Sequence, residues 1–83
     1  MPEEKIGVVT HYFGKAAVAA LQLSAELHLG DRIHFHGHTT DFEMSIESMQ
    51  IEHTNVEKAG PGDAIAIKVP EYTRIGDAVY KVT

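Results

Sequence analysis

The sequence predicts an all-β protein, a small six-stranded antiparallel β-barrel. Three observations point that way. Apolar residues recur at every second position in short runs, the period of a strand with one buried face. The pair Gly-Asp occurs at Gly30-Asp31, Gly62-Asp63 and Gly76-Asp77, each time just before such a run. The 83 residues hold one core only, and short strands with Gly/Pro turns at this spacing fit a small closed sheet.

Residues 1–4 are expected to be a tail, and 5–83 the single domain. The first strand is "KIGVVTHYF" (Lys5 to Phe13), rich in β-branched and aromatic residues. The second, Lys15 to Leu29, is made of helix formers. Its later half, Leu21, Leu23, Ala25, Leu27 and Leu29, has period 2 all the same, while Ala16, Val18 and Ala20 have that period on the opposite parity. A strand with a slip is therefore expected there. "RIHFHGH" puts Ile33 and Phe35 on one face and His34, His36 and His38 on the other. "FEMSIESMQI" alternates through Met44 and Ile46 and resumes one residue out of step at Met49 and Ile51. A β-bulge near Glu47-Ser48 would absorb the extra residue. "AIAIKV" and "AVYKV" complete the set. At each Gly-Asp step, glycine supplies the positive φ of a tight turn and aspartate can bond the neighbouring backbone.

Composition narrows the function. Cysteine is absent, which removes disulfides, thiolate metal sites and cysteine nucleophiles. Net charge is −5 with histidine neutral, and protonating all six histidines would bring it to +1. An acidic chain lacks the general attraction to phosphate backbones that non-specific nucleic-acid binders use. No secretory leader or membrane-length apolar run is visible, so a cytoplasmic protein without membrane contact is expected.

The succession Gly7-x-Val9, "LHLGDRI", "SMQIEHTNVEKAGPGDAIAIKV" and "TRIGDAVYKV" resembles the second-domain β-barrel of translation elongation factors such as elongation factor Tu. It is most similar to small stand-alone elongation-factor-like proteins. A related barrel also ends some collagenase-like peptidase proteins. The resemblance covers roughly Lys5 to Val82. It implies a translation-factor second-domain barrel acting as a non-catalytic binding or adaptor module, with a protein or RNA partner such as the translation machinery. Nucleotide binding is not expected. Gly14-Lys15 is followed by Ala16, and the position five before Gly14 is Val9, so the phosphate-binding loop is missing. Two alternatives stand beside the adaptor: a small metal-binding protein, or an accessory barrel subunit of a separate enzyme such as a collagenase-like peptidase.

The histidine row is the main candidate chemistry. Residues two apart on a strand lie about 6.7 Å apart on one face, and four apart roughly 13 Å. Two neighbours, His36 and His38, could share an ion with a ligand from elsewhere; all three could not easily do so. The competing reading is a hairpin around Thr39 to Phe42, pairing His38 with Glu43, His36 with Ser45 and His34 with Glu47. That forms a histidine–carboxylate ladder, which would raise the imidazole pKa values. The partner-contact candidates are the rim residues His38, Thr39, Thr40 and Asp41, together with His53. Paper triads from Ser24, Ser45 or Ser48 lack a nucleophile elbow, so no enzyme and no cofactor are expected.

Overall fold

In the computed structural model, residues 3–38 and 40–82 are described. Every strand pair is antiparallel, and no helix occurs among these residues. The strands are β1 (Glu3–Phe13), β2 (Val18–Leu23), β3 (Leu27–His28), β4 (Arg32–His36), β5 (Asp41–Ser45), β6 (Met49–Ile51), β7 (Thr54–Val56), β8 (Lys58–Ala59), β9 (Ala64–Lys68) and β10 (Ala78–Val82). One sheet runs β5-β4-β10-β1-β2-β9-β6-β7, and β3 pairs β8 separately. The all-β antiparallel expectation stands, but the count of six does not. No pairing among the described residues joins β5 to β7, so the ladder is open where a closed barrel was expected.

The differences have local causes. β1 begins at Glu3, because Glu3 and Glu4 pair with Val82 and Lys81. The alanine-rich segment is strand despite its helix propensity: Ala19, Leu21, Leu23 and Leu27 are all buried. Burial of a period-2 apolar face outweighs propensity. The segment divides at Ser24–Glu26 into β2 and β3, which join different sheets. The parity change near Glu47-Ser48 is likewise a break and not a bulge. β5 ends at Ser45 and pairs β4, whereas β6 starts at Met49 and pairs β9 and β7. The register irregularities fall in β1, between Lys5 and Gly7 and between Val9 and His11. They bend the long strand that carries the middle of the ladder.

The three Gly-Asp steps are one device used three times. In His28–Asp31, Gly60–Asp63 and Arg74–Asp77 the glycine has φ near +90° (88, 89 and 95°). The aspartate amide donates to the carbonyl three residues back, at 3.1–3.2 Å. Its carboxylate accepts from the amide of that same residue, at 2.8–2.9 Å. Glycine third in the turn, with Pro61 second in one copy, is type II chemistry. Each turn then docks on a buried core residue through two backbone bonds. Ile46, Leu23 and Val9 donate to the carbonyls of Asp31, Asp63 and Asp77 at 2.9–3.0 Å and accept from Gly30, Gly62 and Gly76 at 2.8–2.9 Å. The turns thus satisfy backbone groups of three buried residues that would otherwise be unpaired.

Ile6, Val9, Leu21, Leu27, Ile33, Phe35, Ile46, Met49, Ile65, Ile67 and Val79 make up most of the core. Phe35 stacks on Phe42 with centroids 4.8 Å apart. Truncating a fully buried ring of this kind costs about 3–5 kcal/mol.

Candidate functional site

The outer face of β4 and β5 gathers the densest set of ionisable groups. Ile33 and Phe35 point inward, which leaves Arg32, His34 and His36 on the opposite face of β4. The β4–β5 register pairs His34 with Glu43, His36 with Asp41 and Arg32 with Ser45. The expected pairs of His38 with Glu43, His36 with Ser45 and His34 with Glu47 are displaced by four residues. Phe35 opposite Phe42 is the pairing that wins. The shift is even, so each side chain keeps its face. The ladder of histidines against carboxylates therefore survives with different partners.

His34 is the hub. Its Nε2 lies 2.5 Å from Asp41 Oδ1, and its Nδ1 lies 2.9 Å from Glu3 Oε2. β10 lies between β1 and β4, so the Glu3 side chain reaches across a whole strand. Arg32 Nε donates to Glu43 Oε1 at 2.7 Å. The Asp41 hydrogen bond, and after it Glu3, holds the His34 pKa above its ordinary 6.5, against the opposing effect of partial burial. His34 in turn holds the Asp41 carboxyl below its ordinary 3.8. The rings of His34 and His36 lie 5.7 Å apart. Glu3, His34 and Glu43 each offer one ligand atom, all within 4.8 Å of one another.

The other expected site residues separate. β4 ends at His36 and the chain bends at Gly37 and His38, so the strand spacing that would pair His36 with His38 does not apply. His38 is exposed. Thr39 lies outside the described residues. Thr40 is buried, and its carbonyl accepts from Gly37 N at 2.7 Å, so its backbone serves the turn. Asp41 is exposed and engaged with His34. His53 sits with Glu52 in the two-residue turn joining β6 to β7, both at positive φ (50° and 65°), the geometry of a type I′ hairpin. β6–β7 is at the opposite end of the pairing order from β5.

The sequence reading missed Glu3, which it placed in a tail, and an open groove of about 580 Å³. That groove is lined by Met44, Ser45, Glu47, Ser48, Lys68, Val69 and Pro70. It lies between the last residues of β5 and those of β9. No motif marks these residues; only the break between β5 and β6 could have pointed there.

No protein-family model matches the chain. The chain is 39% identical over 77 residues to an uncharacterised protease of Methanocaldococcus jannaschii, covering 92% of this chain and 19% of that protein. It is 37% identical over 78 residues to a collagenase of Porphyromonas gingivalis, covering 92% of this chain and 22% of that one. The chain thus spans about a fifth of the length of these curated relatives. Among solved structures, it is similar to the C-terminal domain of a Geobacillus thermoleovorans protein described as a U32 peptidase. The TM-score is 0.90 at 23% identity, over 96% of this chain and 93% of that one. The similar proteins carry protease and collagenase names, and the similar fold is a peptidase's C-terminal domain, so the likeness to translation elongation factors is overturned. The Gly-Asp steps that carried it are turn-and-docking devices, which specify a framework and not a partner.

Proposed function

We propose that this chain is an accessory, non-catalytic β-domain that works with a peptidase catalytic unit through a protein–protein contact. The observation that carries this reading is the lopsided coverage. Nearly all of this chain, 92%, aligns with about a fifth of proteins named protease or collagenase. The remaining four-fifths of those proteins have no counterpart in the aligned segment, and on this reading the peptidase chemistry belongs to that part. The uses of the local groups support it. The aspartates of the Gly-Asp steps bond turn amides, and on the outer face of β4 and β5 Arg32 bonds Glu43 while His34 bonds Glu3 and Asp41. Neither arrangement pairs a histidine with a side-chain hydroxyl as a base–nucleophile couple would.

The test is complementation. The Porphyromonas gingivalis collagenase is trimmed of the segment that matches this chain, and hydrolysis of gelatin is followed with and without the added chain. The expected result is no hydrolysis by the chain alone, and association with a rise in activity when the two are mixed. Hydrolysis by the isolated chain would overturn the non-catalytic reading. Absence of association in sedimentation velocity, with no change in activity, would overturn the accessory one.

A further inference from the structure

We infer that Glu3, His34 and Glu43 form a binding site for a divalent first-row transition metal, with Asp41 fixing the imidazole that ligates it. The starting point is the surroundings of one ring. Both nitrogens of His34 face carboxylate oxygens, Nε2 towards Asp41 at 2.5 Å and Nδ1 towards Glu3 at 2.9 Å. A neutral imidazole has a single N–H. When Nε2–H donates to Asp41, the Nδ1 lone pair is left pointing at a Glu3 oxygen, which is also acceptor-only. Two acceptors at that distance need a positive species between or beside them. A second proton is one solution and a metal cation is the other.

Three features favour a metal. The first is the third ligand: a Glu43 oxygen joins the set, with all three ligand atoms within 4.8 Å of one another. Tetrahedral ligands with bonds of about 2.0–2.2 Å stand about 3.3 Å apart, so side-chain movements of up to about 1.5 Å would complete the closure. The second is the partner on the far nitrogen. A metal-ligating histidine usually gives its other N–H to a carboxylate, which fixes tautomer and ring orientation, and Asp41 occupies that place. The third is the origin of the ligands in three strands. β1 supplies Glu3, β4 His34 and β5 Glu43, all carried by paired backbone, so the ligands are held by the sheet and not by a loop. Arg32 competes for Glu43 through Oε1, but a carboxylate accepts at both oxygens.

The donor set names the ligand class. One imidazole with two carboxylates suits zinc and its first-row neighbours better than magnesium or calcium, which favour all-oxygen sites. Water would fill the remaining positions. This site differs from the His36/His38 pair suggested by spacing, and it stands independently of the peptidase reading.

The experiment is calorimetric titration of zinc chloride into the metal-free chain without an affinity tag, with imidazole signals followed by NMR. One zinc per chain is expected, with the His34 ring signals perturbed first. His34→Gln should abolish saturable binding. Glu3→Gln and Glu43→Gln should each weaken it more than tenfold, and Asp41→Asn about tenfold. His36→Gln and His38→Gln should leave it within twofold, and excess magnesium should not compete. Far-UV circular dichroism checks that each variant folds. Should His34→Gln fail that check, Glu3→Gln decides, since it alters only the start of β1. No saturable binding, equal losses in His36→Gln or His38→Gln, or full affinity in Glu3→Gln would overturn the site.

Discussion

Thr73 is completely buried, and its Oγ1 has no hydrogen-bond partner among the described residues. A hydroxyl desolvated in this way costs about 1–3 kcal/mol that an isosteric methyl would not. Thr73→Val is therefore expected to stabilise the fold by about 1 kcal/mol. The urea midpoint should rise with an unchanged m-value, and a fall in the midpoint would mean that the hydroxyl is satisfied. His34 provides the second prediction at this scale. Its folded pKa lies above 6.5, chiefly through Asp41, so its contribution is complete below 6.5 and is lost as pH rises through the folded value. Asp41 is lowered from 3.8 by His34, so its contribution is complete above 3.8 and is lost as pH falls through its own folded value. The pair should thus stabilise most between these limits. Comparing urea midpoints of wild type and Asp41→Asn across pH, with chelator present, should show the largest gap at mildly acid pH. A gap that is undiminished in alkaline buffer would sink the assignment.

Elements were legible to different degrees. The face of every side chain in β4 and β5 could be read, because period 2 fixes parity; the register could not, because an even slip preserves parity. Phe35 against Phe42 decides it, and nothing in single-strand spacing ranks that pair above Phe35 against Ile46. The turns were legible because Gly-Asp carries its own chemistry, and all three glycines have the expected positive φ. Their docking onto Val9, Leu23 and Ile46 was not legible, since it pairs residues distant in the chain. Glu3 was missed for the same reason: its partner His34 lies two strands away in the sheet. The docked turns also explain two glycines. A Cβ on Gly37 would lie 2.0 Å from Asp77 Oδ1, whereas one on Gly60 would meet nothing within 4 Å. Asp77 is buried and its other carboxylate oxygen holds the Arg74 amide. Gly37→Ala is expected to destabilise by about 1–3 kcal/mol, and Gly60→Ala by less than about 0.5 kcal/mol. Chemical denaturation of the two variants checks this, and equal effects would show that Gly37 has room that the contact denies.

The open ladder is a statement about the whole molecule, and it makes an amide-by-amide prediction. Gly37 donates to Thr40, and Ile46 donates to Asp31. In an antiparallel pair, inward and outward amides alternate. The amides of Phe42 and Met44 must then point at β4, as that of Ile46 points at Asp31. Those of Asp41, Glu43 and Ser45 point away from it, along an edge that pairs with no other strand among the described residues, beside the groove formed with Lys68, Val69 and Pro70. Hydrogen exchange should therefore be slow at Phe42, Met44 and Ile46 and fast at Asp41, Glu43 and Ser45. The slowest exchange in the molecule should come from β10, β1 and β2, which have partners on both sides. Equal protection at all six β5 and Ile46 amides in the isolated chain would mean that the sheet closes after all. Protection that appears at Asp41, Glu43 and Ser45 only when a peptidase catalytic unit is added would place the proposed contact on this edge, by the same hydrogen bonds that extend any open sheet. An edge left bare by a broken strand, flanked by charges that discourage indiscriminate pairing, is where an accessory domain of this design has backbone to offer.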